Sequence, residues 1–239
     1  MKKSIKVIIF DYGGTIDTDS RHWANVIWDE YKRSGIPVDE ARFRQAYVHA
    51  ERAMAREPFV HPEHNFHDVL GIKIGLQMQN LHNDGLITAE QAATYTTDVT
   101  DGCYDKVRET LQKTRPVIRF LSSCYPLCLV SNFYGNIHSV LKDFELDSYF
   151  SAVIESSVVG VRKPDPGIFR LGVEALNLKA PEVMVVGDSY TKDILPAKSL
   201  GCHTVWLKGD GWDKEEYDGT AADITISSLT LLPKYLPEQ

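Results

Sequence analysis

The stretch IIFDYGGTID, residues 8–17, breaks an apolar run with an aspartate, two glycines and a threonine. A carboxylate set just past a strand, at Asp11, resembles a nucleophile or a metal ligand. An aspartate before glycine also starts ordinary turns, so Asp11 takes its meaning from the groups at other strand ends. Gly13, two residues on, has no side chain, which leaves open what supplies the second acid such a loop would use.

Outward from this stretch, short β-rich runs alternate with longer helical ones, the signature of a parallel sheet covered by helices. The predicted strands are 5–10 (IKVIIF), 126–131 (PLCLVS), 151–156 (SAVIES), 183–187 (VMVVG) and 203–207 (HTVWL), with a sixth at 223–227. Near-continuous apolar runs of this length suit strands buried on both faces. The more than one hundred residues between the first two strands are too many for one crossover helix. Trp23, Val26, Ile27 and Tyr31 repeat at helical spacing up to Gly35. Phe43, Ala46, Tyr47, Ala50 and Met54 do so after Asp39, a candidate cap. Further helices are predicted over 66–82 and 88–113. The fold class is therefore a doubly wound α/β sheet with an inserted helical unit. The expected boundaries are 18–105 for the insert and 1–17 plus 106–239 for the core.

Composition excludes several classes. The 239 residues are 43% hydrophobic and 25% charged, with a net charge of −7 and no basic run to neutralise nucleic-acid phosphates. The four cysteines, Cys103, Cys124, Cys128 and Cys202, form no CxxC pair and lie in or beside apolar stretches, as expected of reduced thiols in a cytoplasmic protein. The opening MKKSIKVIIF is too short in its apolar part for a signal peptide or a membrane span, so no membrane partner is expected.

In open α/β sheets, ligands gather beyond the carboxyl ends of the strands. Asp11 follows the first strand, and Ser131 and Asn132 close the second. Lys163 lies beyond the third in VGVRKPDP, and Asp188 follows the fourth in VVGDSYTKD, with Asp193 five residues later. Such a set suits phosphoryl transfer. Carboxylates supply the hard oxygen ligands that magnesium prefers, and lysine, hydroxyl and amide donors cradle phosphate oxygens. An aspartate can attack phosphorus to give an aspartyl-phosphate that water then hydrolyses.

Four stretches in this order, IIFDYGGT, LVSN, RKPDP and VVGDSYTKD, resemble the four motifs of the haloacid dehalogenase superfamily, and the long helical insert resembles its type I helical cap. The resemblance implies a magnesium-dependent hydrolase of small phosphorylated molecules. Asp11 is then the nucleophile, assisted by Lys163, and Ser131 and Lys163 bind phosphate. Asn132 adds a donor, and Thr15 is grouped with the phosphate site chiefly as support for the loop. Asp11, the backbone carbonyl of Gly13 and Asp188 hold the metal, with Asp193 supporting it.

Most phosphatases of the superfamily carry a second aspartate, acting as general acid and base, where Gly13 stands. Asp17, Asp19 or the cap histidines His61, His64 and His67 are candidate substitutes. Cleavage of a phosphonate or a haloacid, and a regulatory protein with a weakened site, stand as alternatives. Against the phosphonate reading, no lysine lies between Lys32 and Lys73. The three histidines of FVHPEHNFHD could otherwise be solvated loop residues or zinc ligands. Arg52 and Arg56, four apart on one helix, could grip an anion, pair with neighbours such as Glu51 or lie in solvent.

Overall fold

Six parallel strands form one sheet in the order β3-β2-β1-β4-β5-β6 in a computed structural model that describes residues 5–209, 211 and 217–236. The strands are β1 (Val7–Phe10), β2 (Leu127–Ser131), β3 (Ala152–Glu155), β4 (Val183–Gly187), β5 (His203–Leu207) and β6 (Ile224–Ile226). Each predicted strand is present, β4 and β5 at the predicted residues, β1 and β2 shorter by two and one at the N-terminal end, and β3 and β6 shorter by one at each end. β1 is buried at every position because layers cover both of its faces. Ile8 and Phe10 join one layer, with Leu127 and Leu129 of β2, whereas Val7 and Ile9 join the other, with Cys128 and Val130. This is the period-two alternation of a pleated strand serving two cores.

Four helices separate β1 from β2: α1 (Trp23–Arg33), α2 (Glu40–Arg56), α3 (Phe66–Asn83) and α4 (Ala89–Cys124). Their starts follow local chemistry. The Asp39 side chain accepts from Arg42 N–H, and Asn65 with Asp68, then Thr88 with Gln91, close reciprocal capping boxes. Trp28, Tyr31 and Phe43 pack together, with Phe43 ring centroids 5.0 Å from Trp28 and 4.8 Å from Tyr31. Burying side chains of this size stabilises by roughly 1.5–3 kcal/mol each.

The helix predicted over 88–113 is eleven residues longer at its C-terminal end. It passes through Pro116, whose missing N–H and ring ordinarily disrupt a helix interior. Thr114, Val117, Ile118 and Leu121 continue the buried stripe at three- and four-residue spacing, so packing on the core holds the last turns helical. This helix, about 54 Å long at 1.5 Å per residue, carries the insert and the sheet on one continuous hydrophobic cluster.

After β2 come α5 (Ile137–Asp143), α6 (Ser156–Val159), α7 (Gly167–Ala175) and α8 (Leu195–Ser199). Ile168, Phe169 and Val173 of α7, with Ala197 of α8, cover the sheet face opposite the insert. None of the four cysteines forms a disulfide; Cys103, Cys128 and Cys202 are buried and Cys124 is half-buried. No helix among the described residues is long and apolar enough to cross a membrane.

Candidate active site

The chain runs outward from β1 through β2 to β3 and returns to β4 on the other side of β1, so the strand order reverses between β1 and β4. A crevice opens at such a switch point. Register sets Phe10 beside Leu129 and Val186, which brings the ends of β1, β2 and β4 to within two residues of one another. Asp11, Ser131, Asn132, Lys163, Asp188 and Asp193 accordingly line one cavity of about 1430 Å³, together with the backbone of Gly13.

Asp11 is fixed by its own N–H, which donates to Val186 O at 3.0 Å. The Lys163 ammonium donates to Asp11 Oδ1 and lies 2.7 Å from Asp193 Oδ1, with all three side chains almost fully buried. Lys163 is aimed by Asn132, whose Nδ2 donates to the lysine carbonyl at 3.1 Å and whose Oδ1 accepts from the lysine N–H at 2.8 Å. Asn132 therefore contacts Lys163 directly. Thr15 does not line the cavity. Its hydroxyl lies 3.3 Å from Asp11 Oδ2 and 3.2 Å from Asp188 Oδ1, and it accepts the Asp188 N–H at 3.0 Å. Asp193 Oδ2 accepts from Ser189 N–H, which closes the turn after β4.

Gly14 has φ +93, and a Cβ there would fall 2.3 Å from Asp188 Oδ2. Only glycine permits both that conformation and that approach. Gly187 likewise leaves room for the Asp193 carboxyl, 2.5 Å from where a Cβ would be.

Asp11, Asp188 and Asp193 each present an oxygen within 4.8 Å of the others, the one such cluster among the described residues. Burial pushes the Asp11 carboxyl up to about 6, with Lys163 opposing and Asp193 reinforcing the rise. Asp188 is raised well above the ordinary carboxylate range, first by burial and then by the Asp11 and Asp193 charges. Burial works against the charge on Lys163, yet Asp11 and Asp193 hold its ammonium above the usual lysine value. Three carboxylates against one ammonium leave an excess of buried negative charge on hard oxygen donors, which fits a small divalent cation.

The candidate substitutes for an acid at position 13 separate clearly. Asp17 lines the cavity, whereas Asp19 points to the C-terminal segment and accepts from the Ser228 hydroxyl and Leu229 N–H. His61, His64 and His67 do not line the cavity. His61 N–H donates to His64 Nδ1, and His67 pairs with Asp101 at 2.7 Å. They do not converge on a metal-binding arrangement. Arg52 is exposed and Arg56 lines the cavity rim, while Glu51 pairs with Lys73 at 2.7 Å and with neither arginine. Lys73, Glu51 and Tyr47 form a polar wall of the cavity on the insert side, a place the sequence reading did not give them.

A doubly wound sheet with a buried lysine and aspartates at its switch point defines a class of α/β hydrolases. The match of the haloacid dehalogenase-like hydrolase family to residues 5–201 shows that the chain belongs to that family. It is 30% identical to a glyceraldehyde 3-phosphate phosphatase of Pyrococcus furiosus over 99% of this chain and 95% of that one. It is also 30% identical to a phosphoglycolate phosphatase of Vibrio cholerae over 86% and 85%. Among solved structures, a dehalogenase with an intermediate complex superposes with a TM-score of 0.64 at 17% identity over 99% of both chains. A phosphatase from Thermococcus onnurineus does so at 0.54 and 23% over 96% of both. The family makes the chain a hydrolase, and the two relatives named here are phosphatases.

Proposed function

We propose that the protein is a magnesium-dependent phosphatase of small phosphomonoesters, acting through an aspartyl-phosphate on Asp11. The observation that carries this reading is the meeting of Asp11, Ser131, Lys163, Asp188 and Asp193 at one cavity. Residues 18–105 act as the cap. The names of the relatives favour a two- or three-carbon phosphate such as glyceraldehyde 3-phosphate or phosphoglycolate.

Asp11 attacks phosphorus, and the ester oxygen leaves. Lys163, freed toward substrate, and the Ser131 hydroxyl bind phosphate oxygens, while Asn132 keeps Lys163 aimed. Asp11, Asp188 and the Gly13 carbonyl, supported by Asp193, would hold magnesium, which supplies the positive charge that offsets repulsion between phosphate and carboxylate. Cap residues Tyr47, Glu51 and Lys73 contact the leaving group and exclude water during the first step.

The phosphonate alternative requires a neutral cap amine. Burial disfavours the charge on Lys73, but Glu51, then Tyr134 and Tyr47, raise its ammonium well above the ordinary value. The test is phosphate release from a panel of phosphomonoesters with magnesium and with chelator, beside Asp11→Asn. Magnesium-dependent release that the variant abolishes supports the reading, and release that survives in the variant overturns the nucleophile.

A further inference from the structure

Hydrolysis of a phosphomonoester moves a proton twice. The ester oxygen takes one as its bond to phosphorus breaks, and the water that frees phosphate from Asp11 gives one up. Gly13 has no group for this. The space beside it is not empty of chemistry, because a Cβ at Gly13 would lie 4.0 Å from Asp17 Oδ2. Asp17 is 1% exposed yet reaches the cavity wall. Its carboxyl is held at both ends, with Gly14 N–H donating to Oδ1 at 2.7 Å and Trp23 Nε1–H to Oδ2 at 2.9 Å. Each oxygen keeps a second lone pair. Burial, which outweighs those two donors, raises this carboxyl to about 7, where an acid and its base coexist near neutral pH.

We propose that Asp17 is the proton donor and acceptor of this active site, reaching from four residues downstream into the space that Gly13 leaves. The inference rests on the phosphatase reading. In the first step Asp11 forms a bond to phosphorus, the ester P–O bond breaks, and the leaving oxygen takes the proton of the Asp17 carboxyl. In the second step water attacks phosphorus, the Asp11–phosphorus bond breaks, and the Asp17 carboxylate takes the proton of the water, so that inorganic phosphate leaves and Asp17 is restored.

The test uses the full chain with magnesium on two substrates. One is glyceraldehyde 3-phosphate, or whichever alkyl phosphate turns over fastest. The other is p-nitrophenyl phosphate, whose leaving group needs no proton. Asp17→Asn should lower kcat on the alkyl phosphate by about 10²- to 10⁴-fold. On p-nitrophenyl phosphate it should leave a burst of one equivalent of nitrophenolate followed by slow turnover, because only the second step needs Asp17. Adding Gly13→Asp to that variant should restore turnover on both substrates. Wild-type kcat retained by Asp17→Asn on both, or equal loss on both with no burst, overturns the proposal. Gly13→Asp in the wild-type background keeps the question open to refutation if Asp17→Asn does not fold. A rise of about tenfold or more on the alkyl phosphate would show that the role was vacant. A wild type inactive on every monoester overturns the phosphatase reading itself and this inference with it.

Discussion

Replacing Lys163 with methionine removes the one ammonium between Asp11 and Asp193 while keeping a stem of similar volume against Phe169. The Lys163 nitrogen lies 5.3 Å from that ring centroid. Packing changes little in such a swap, so the loss is electrostatic. With side-chain exposures of 3% for Lys163, 10% for Asp11 and 2% for Asp193, the three groups are screened by almost no water. Removing one partner of a buried ion pair costs about 3–5 kcal/mol, because the remaining charge is left uncompensated. In a chain of this size each kcal/mol shifts Tm by about 2–4 °C, so a fall of about 6–20 °C is expected. Urea unfolding followed by tryptophan fluorescence, at pH 8 with chelator present, reads the difference directly. Asp193→Asn added to Lys163→Met should recover part of the loss, since it removes one of the two stranded charges. A loss below about 1 kcal/mol, the size expected of an exposed pair, would refute the picture of a buried, mutually dependent triad.

Four further outcomes are expected. Gly14→Ala must place a side chain at φ +93 against Asp188, and it should cost roughly 1–3 kcal/mol in unfolding experiments. The same displacement should lower kcat by about a hundredfold in steady-state assays. Phe43→Ala opens the aromatic cluster of α1 and α2 and should destabilise by about 3–5 kcal/mol, measured by the same urea titration. In chelator, stability should fall between pH 5 and pH 8. Asp11 at about 6 and Asp17 at about 7 hold protons in the folded state that the unfolded chain has released from near 3.8. Their contribution is therefore complete below 3.8 and is lost as pH rises through the folded values. A flat or rising curve in calorimetry would contradict it. Magnesium should raise Tm in the wild type and leave Asp188→Asn unmoved, as expected if binding to the folded state alone depends on that carboxylate.

The strand-end residues were legible because each sits one residue or a few past an apolar run, and parallel strands bring their carboxyl ends to one edge. Asp11, Ser131 and Asp188 thus share the cavity although the sequence separates them widely. The start of α2 was legible from Asp39 as a cap and from the apolar spacing that follows it. The C-terminal end of α4 was not, because the penalty at Pro116 is local while the contacts of Thr114, Val117, Ile118 and Leu121 that overcome it are tertiary.

The sequence by itself determined the sheet, the insert and the candidate chemistry, because hydrophobic period and strand-end position are properties of neighbours along the chain. Only the tertiary structure decided which nearby acid faces the gap at Gly13. Asp17 and Asp19 differ by two residues and are chemically identical. Yet Gly14 N–H and Trp23 hold Asp17 in the cavity, while a backbone at φ 48 for Asp19 and φ 81 for Ser20 carries Asp19 away to Ser228 and Leu229. Tertiary packing likewise made Lys73 a cavity residue by pairing it with Glu51, 22 residues away on a different helix. Those choices depend on where distant backbone donors and side chains come to lie, which no local pattern encodes.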